Sequence, residues 1–205
     1  IIGESGGGKS TVAKALVAND HRVIVAAPYM KTPYGTIGFT DYPAARAALL
    51  AHRPKSFRIL VACYDGDEFA RVCKLAWALA PVTLVVDETA FVIPNAAAAP
   101  KEFRFICQIG RHAGHDEEQP VQLVVLGQRP PNLPPFCRSE SKLLYLFPLA
   151  DEADWQSVVE DFSLPAFDGT RAKVLERGPR LPRYHRIRLT KREDGGWDYH
   201  EGVGV

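Results

Sequence analysis

The clearest chemistry lies in the glycine-rich run Gly3–Ser10 (GESGGGKS) near the start of the sequence. It has the spacing G-x-x-x-x-G-K-[ST], between the apolar pair Ile1–Ile2 and the segment Thr11–Leu16. A strand end, a glycine turn and a helix start with Val12 and Leu16 one turn apart are the context of a phosphate-binding loop. The pattern therefore predicts that this chain binds a nucleoside triphosphate.

Each residue type in this run has a physical role. Glycines let the backbone curl so that successive N–H groups point at phosphate oxygens, and the helix start adds a partial positive charge. Lys9 is expected to reach the β- and γ-phosphates, and the Ser10 hydroxyl to ligate Mg²⁺. ATP and Mg²⁺ are thus the expected cofactors. The residues expected to bind the nucleotide are Gly3, Glu4, Ser5, Gly6, Gly7, Gly8, Lys9, Ser10 and Thr11.

A second site element is the apolar run Val82–Val86, which ends in Asp87 and Glu88 and forms a Walker B pattern. Asp87, at the end of a buried strand, is expected to hold the Mg²⁺ shell. Glu88 is expected to be the general base that polarises the attacking water. In the alternative interpretation, Asp87 caps the following segment and Glu88 is solvated. The second acid favours hydrolysis over phosphoryl transfer to a metabolite, because small-molecule kinases need no water-activating glutamate.

The third informative stretch contains Gly110-Arg111-His112, then the apolar run Val121–Leu126, then Gly127-Gln128-Arg129-Pro130. With this order of motifs, residues 1 to 150 resemble the HerA–FtsK superfamily of DNA-pumping ATPases. The chain is most similar to the genome-packaging ATPases of membrane-containing icosahedral viruses. In that superfamily an arginine motif ends the helix after the Walker B strand, and the next strand ends in a glutamine often found as Q-R-P.

The resemblance implies roles for two further residues. Gln128 would sense the γ-phosphate or the attacking water, on a strand between the phosphate-loop strand and the Walker B strand; alternatively it is a buried amide that ties loops together. Arg111 would act in a neighbouring subunit's site, as a finger that neutralises charge developing on the phosphoryl group. Alternatively, it contacts the end of its own helix. Rivals for the finger are Arg104, Arg129 and Arg138.

Apolar runs alternate with helical patterns along most of the chain, which predicts an α/β fold with a mainly parallel sheet between helices. With the resemblance, this becomes a three-layer P-loop NTPase core of RecA-like (ASCE) type over residues 1–165. Residues 166–205 are expected to form a basic β extension packed on the core, with strands at Ala172–Leu175 and Tyr184–Leu189 and a turn at Gly195-Gly196. Pro28–Thr40 is expected to be a surface excursion.

Composition and charge narrow the class of protein. The sequence has 205 residues, 46% hydrophobic and 24% charged, with a net charge of +1, as in ordinary soluble globular domains. The longest apolar run, Leu75–Val86, is too short to span a bilayer. The cysteines have no zinc or redox spacing, so free thiols in a reducing cytosol are expected. His112 and His115 lack further ligands for a metal. The sequence lacks an initial Met, so upstream residues are expected to be missing.

The positive charge is concentrated in the segment from Arg171 to Arg192, which has a single acid, Glu176. Two interpretations stay open: a surface that tracks DNA phosphates, or a solvated strand edge guarded by charge. Lys31 and Lys101 are further candidates for DNA contacts. The nine basic residues are Arg171, Lys173, Arg177, Arg180, Arg183, Arg186, Arg188, Lys191 and Arg192.

These patterns favour an ATP-driven translocase of double-stranded DNA that packages a viral genome into a preformed capsid. The resemblance implies a homo-oligomer, a hexameric ring, with a capsid vertex or portal protein as partner. Its place would be the host cytoplasm or the packaging vertex of the virion. One alternative is a phage assembly ATPase of the Zot type, although such proteins carry a membrane segment that is not seen here. A nucleotide-dependent switch or scaffold is another, and a kinase is third.

Overall fold

The computed structural model describes residues 1–29, 34, 36–39, 41–52, 55–110 and 120–203. They form two compact units. The loop unit consists of Ile1–Val12 and Gly127–Val205, and the sheet unit consists of Ala13–Leu126. The first helix, α1 (Lys9–Leu16), begins in the loop unit and ends in the sheet unit.

The sheet unit is built on a five-stranded sheet in the order β2-β3-β1-β4-β5, with every pairing parallel. All five residues of β4 are buried, as are five of the six in β1. Continuous apolar runs of this kind are typical of parallel strands covered on both faces. The strands are β1 (Arg22–Ala27), β2 (Ile37–Phe39), β3 (Phe57–Ala62), β4 (Val82–Val86) and β5 (Val121–Val125).

Four α-helices lie wholly within the described part of the sheet unit: α2 (Tyr42–His52), α3 (Gly66–Ala78), α4 (Thr89–Val92) and α5 (Lys101–Ile109). The longest, α3, begins where the Asp65 carboxylate accepts a hydrogen bond from the Glu68 N–H at 2.8 Å. Its buried side packs on α5, with the rings of Phe69 and Phe103 5.1 Å apart. The predicted α/β class, with a mainly parallel sheet flanked by helices, is confirmed.

The loop unit contains a three-stranded antiparallel sheet in the order β6-β7-β8. Its strands are β6 (Leu143–Leu146), β7 (His185–Lys191) and β8 (Trp197–Val203), and its further helices are α6 (Pro135–Ser139), α7 (Glu152–Asp161) and α8 (Thr170–Arg177). Trp155 of α7 is 1% exposed and packs against the backbone of Gly178. The predicted β extension and its turn at Gly195-Gly196 are confirmed by the pairing of β7 with β8.

Several local predictions are wrong. Ala172–Leu175 is part of helix α8, not a strand, because a run of only four residues cannot distinguish the two periodicities. Of the two apolar positions predicted for α1, Val12 is buried but Leu16 is exposed. The excursion Pro28–Thr40 contains β2, which pairs with β3. The predicted boundary at residue 165 stays a prediction.

The four cysteines are thiols and not disulfides, as predicted. Burial raises the pKa of Cys63 to about 12, so this thiol stays protonated. Within the described ranges, none of the helices has the length and apolar character needed to cross a membrane.

Candidate functional site

The glycine loop is a tightly curved backbone in the loop unit. The φ angles of Gly3, Gly6 and Gly8 are 154°, 75° and 101°, which residues with a side chain rarely adopt. Phe147, which is fully buried, packs against this curve. A Cβ on Gly3 would lie 2.4 Å from the Phe147 Cβ. The glycine at position 3 is therefore required by both backbone conformation and space.

Lys9 turns its side chain back into the loop. It is only 7% exposed, and its ammonium donates hydrogen bonds to the carbonyls of Gly3 at 2.7 Å and Glu4 at 2.8 Å. The first-turn N–H groups of α1, on Lys9, Ser10 and Thr11, have no preceding helical carbonyl to pair with. A buried ammonium beside a helix start is a suitable environment for a polyphosphate, so these residues fit the triphosphate that the sequence predicts.

Two acids follow the central strand β4 in the sheet unit. Asp87 is 2% exposed, and its N–H donates to the Ala26 carbonyl at 2.9 Å. Glu88 is half-buried and has a left-handed backbone, with φ 56° and ψ 60°. The next residue, Thr89, donates its N–H and hydroxyl to the Leu126 carbonyl. The chain is thus turned sharply at Glu88, a strain often found at functional sites.

Two tyrosines surround Asp87, and sequence reasoning missed both. The Tyr34 hydroxyl donates to the Asp87 carboxylate at 3.1 Å. Burial raises the Asp87 pKa, while hydrogen bonds from Tyr29 and Tyr34 act against this rise. Burial, together with Asp87 and Glu88, raises the pKa of Tyr29. A divalent cation would offset this concentrated negative charge, and carboxylate oxygens are ligands that Mg²⁺ prefers. The only sequence signal for Tyr29 and Tyr34 was their location after the buried strand β1.

The segment before Gln128 has one strand pairing in the sheet unit and one isolated parallel bridge, between Ile2 and Gly127, in the loop unit. In the sheet unit, β5 pairs with β4 from Val82–Val121 to Val86–Val125. In the loop unit, the Gly127 N–H donates to the Ile1 carbonyl at 2.9 Å, and the Gly3 N–H donates to the Gly127 carbonyl at 3.2 Å. Gln128 itself is exposed and not buried. It follows Gly127, which is hydrogen-bonded to Ile1 and Gly3 at the start of the glycine loop.

Arg129, the neighbour of Gln128, is anchored to α7. Its Nε donates to both carboxylate oxygens of Asp154, at 3.1 and 2.9 Å, and its Nη2 donates to Asp154 at 2.9 Å and Asp151 at 3.1 Å. The Asp154 side chain is 2% exposed, whereas that of Arg129 is 52% exposed. Arg138 forms an ion pair with Asp161 and is largely buried. These two rivals for the finger are therefore engaged within the loop unit.

Of the remaining candidates for the finger, the structure describes Arg104 but not Arg111. Arg104 is exposed on α5, as is Lys101. Arg111, His112 and His115 lie outside the described residues, and so does Lys31. The trans finger and a DNA contact at Lys31 stay predictions.

The basic segment does not form a uniform surface. Arg177 pairs with Glu201 at 2.9 Å. Arg192 pairs with Asp194 and Asp198 at 3.1 and 3.2 Å. Other members lie over aromatic rings, as Arg186 does over Tyr145. Both interpretations of this segment remain predictions. Arg177 and Arg192 are already paired with carboxylates, so fewer of the nine basic residues could contact DNA.

No protein-family model matches this chain, and no curated protein matches it by sequence. Among solved structures, it is similar to the genome packaging NTPase B204 from Sulfolobus turreted icosahedral virus 2 in complex with AMPPCP. The TM-score is 0.73 at 13% identity, over 100% of this chain and 96% of that chain. The DNA-packaging ATPase B204 from Sulfolobus Turreted Icosahedral Virus gives 0.70 at 15% identity, over 98% and 95%.

A third similar structure is the cytoplasmic domain of the Type VII secretion ATPase EccC from Thermomonospora curvata. Its TM-score is 0.50 at 14% identity, over 100% of this chain and 25% of that chain. At these identities the likeness concerns the fold, and it agrees with the resemblance seen in the motifs. We conclude that this chain has, along its whole length, the fold of the B204 genome packaging NTPases.

Proposed function

We propose that this protein hydrolyses ATP to move double-stranded DNA, as the packaging motor of a virus. The observation that carries the proposal is the buried Lys9 ammonium, held inside a glycine loop by the carbonyls of Gly3 and Glu4. That arrangement suits a nucleoside triphosphate more than any other common ligand. The fold shared with genome packaging NTPases supports the choice of a motor over a kinase.

In the proposed reaction, each described site residue has one task. Lys9 neutralises the β- and γ-phosphates, and the loop N–H groups orient them. Ser10 and Asp87 would hold Mg²⁺, which neutralises phosphate charge when bound. Tyr34 fixes the orientation of the Asp87 carboxylate through its hydrogen bond. Gln128 orients the attacking water or senses the γ-phosphate.

Glu88 acts as the general base. It accepts a proton from water as the water oxygen bonds to the γ-phosphorus, and the bond from that phosphorus to the β–γ bridging oxygen breaks. The products are ADP and inorganic phosphate. Glu88 directly follows Asp87, and its backbone is left-handed, with φ 56° and ψ 60°.

Coupling to DNA requires neighbouring copies of the chain. We infer a homo-oligomeric ring, hexameric by the resemblance, in which Arg111 acts on the adjacent copy's nucleotide. The partner is duplex DNA, and a capsid vertex or portal protein is the further partner in the host cytoplasm or at the virion's packaging vertex. The similarity in fold to the DNA-packaging ATPase B204 from Sulfolobus Turreted Icosahedral Virus supports this choice.

The test is a steady-state ATPase assay with and without linear duplex DNA. We expect DNA to stimulate turnover, and we expect the stimulation to fall steeply between about 50 and about 200 mM salt, because phosphate contacts release counterions. Tight ATP binding with negligible turnover, with or without DNA, would instead establish a nucleotide-dependent switch or scaffold. The Zot-type alternative would show turnover that does not depend on duplex DNA.

Mixing subunits tests the ring. Arg111→Ala and Glu88→Gln are each expected to be inactive alone, since one lacks the finger and the other lacks the base. In mixed rings, an active site with an intact base can receive an intact finger from its neighbour, so partial activity should return. No recovery at any mixing ratio would contradict a finger that acts in trans.

A further inference from the structure

The turn before β7 holds one arginine of the basic segment in a defined position. The His185 N–H donates to the Pro182 carbonyl at 3.0 Å, which closes a tight turn around Arg183 and Tyr184. Tyr184 has φ 67°, an unusual conformation for an aromatic residue. Such strain persists only where the surrounding structure maintains it. The direction in which Arg183 leaves the backbone is therefore fixed.

The guanidinium of Arg183 is oriented by an aromatic ring and not by an acid. Its Cζ lies 5.0 Å from the centroid of the Tyr184 ring. Within the described part of the chain it forms no ion pair, whereas Arg177 and Arg192 of the same segment pair with carboxylates. An exposed and positioned guanidinium of this kind keeps its donors available for a ligand.

That guanidinium lies at the glycine loop. The Nη2 of Arg183 is 3.8 Å from the position that a Cβ on Gly6 would take. Gly6 is three residues before Lys9, whose ammonium lies within the same loop. The loop therefore has two cations from distant parts of the sequence. A planar guanidinium can donate two parallel hydrogen bonds to a phosphate, which a lysine cannot do.

We propose that Arg183 binds the terminal phosphates of the nucleotide in cis, as a second cation of the glycine loop beside Lys9. The proposal rests on the proposed nucleotide site and deepens it. It distinguishes Arg183 from the rest of the basic segment, because Arg183 would bind the phosphates of the nucleotide and not those of a DNA backbone. We expect Arg183 to bind the β- and γ-phosphates, because Lys9 of the same loop is expected to contact those phosphates.

The experiment compares the binding of AMPPCP, ADP and AMP to the full chain and to its Arg183→Ala and Arg183→Lys variants. We expect Arg183→Ala to weaken AMPPCP binding by about tenfold or more, because a charge-assisted hydrogen bond is lost. The Kd for AMP should not change, since it lacks the terminal phosphates. Arg183→Lys should retain part of the affinity. Arg71→Ala, which removes an exposed arginine from α3 in the sheet unit, is the matched control.

The outcomes separate this inference from the proposed function. If the unmodified chain binds none of the three nucleotides, both fail together. If it binds AMPPCP and Arg183→Ala binds it equally well, only the inference is overturned. Loss of duplex DNA binding with unchanged AMPPCP affinity would also overturn it, since Arg183 would then belong to a DNA surface. Equal melting temperatures of the variants exclude misfolding as the cause.

Discussion

The two units of this protein carry their functional residues in different ways. In the sheet unit, Asp87 and Glu88 directly follow a buried apolar strand, so one short run of sequence specifies both the fold and the acids. In the loop unit, Lys9 belongs to the glycine run itself, but the other groups at the loop come from distant segments: Phe147 directly follows β6, and Arg183 lies in the turn before β7.

The electrostatics of the two units also differ. Burial raises the pKa of Asp87 in the sheet unit, because the charged carboxylate is destabilised away from water. A bound cation would offset this destabilisation. In the loop unit, burial acts to raise the pKa of Asp168, but hydrogen bonds from Trp197 and Thr170, together with the charge of Arg192, lower it. The two carboxylates therefore differ in environment: Asp87 is destabilised by burial, whereas Asp168 is stabilised by contacts within the fold.

The largest effects on ATP turnover and ATP binding are expected from substitutions of Glu88 and Lys9. Glu88→Gln should lower turnover by about 100-fold or more while ATP binding is retained, because only the base is lost. Lys9→Ala should instead weaken ATP binding itself, since the buried phosphate partner is removed. Turnover numbers and nucleotide affinities, measured against the exposed control Asp67→Asn, test this division of roles. Normal turnover in Glu88→Gln would exclude it as the base.

Substitution of Gly3 tests how tightly the loop unit constrains its backbone. A methyl group there would lie 2.4 Å from the Phe147 Cβ, with φ at 154°. Gly3→Ala should therefore lower the free energy of unfolding by about 1–3 kcal/mol. Gly202→Ala is the control, because no described atom lies within 4 Å of its added Cβ. Equal stability of the two variants in urea unfolding would contradict the observed packing.

The anchor of Arg129 on α7 should matter for catalysis and not only for folding. Arg129→Ala removes the hydrogen bonds that hold the backbone next to Gln128 on α7. We expect kcat to fall by about tenfold with little change in KM, because a misplaced Gln128 affects the chemical step. Arg177→Ala removes a similar arginine–carboxylate pair in the same unit, with Glu201. A loss of kcat of the same size in both variants would indicate a general structural effect.

The smallest effect concerns pH. Asp168 accepts N–H hydrogen bonds from Thr170 and Trp197, both at 2.9 Å, and its pKa is lower in the folded state than in the unfolded chain. Its contribution is therefore complete above the unfolded pKa of about 3.9 and is lost as the pH falls through the folded value. The stability difference between the unmodified chain and Asp168→Asn should shrink from about pH 6 to about pH 3. A constant difference would contradict this assignment.

The sequence predicted what is encoded locally. The glycine loop, the run before Asp87 and the amphipathic pattern of α3 each follow from spacing within about fifteen residues. The short run Ala172–Leu175 was misassigned, because its burial is decided by the packing of the whole helix α8.

The contacts that join distant segments could not be predicted. Tyr34 lies 53 residues from Asp87, and Arg129 lies 25 residues from Asp154. The approach of Arg183 to Gly6 depends on a left-handed turn at Tyr184 that no local pattern signals. Such contacts arise from tertiary packing, which overrides local preference.

The most direct test of the account is ATP-driven movement along DNA. A triplex-forming oligonucleotide, bound to a linear duplex, is released when a motor passes its site, and release can be followed by fluorescence. We predict release by the unmodified chain with ATP, and none with AMPPCP or with Glu88→Gln. ATP hydrolysis by the unmodified chain with no release under any condition would contradict the claim that hydrolysis here moves DNA.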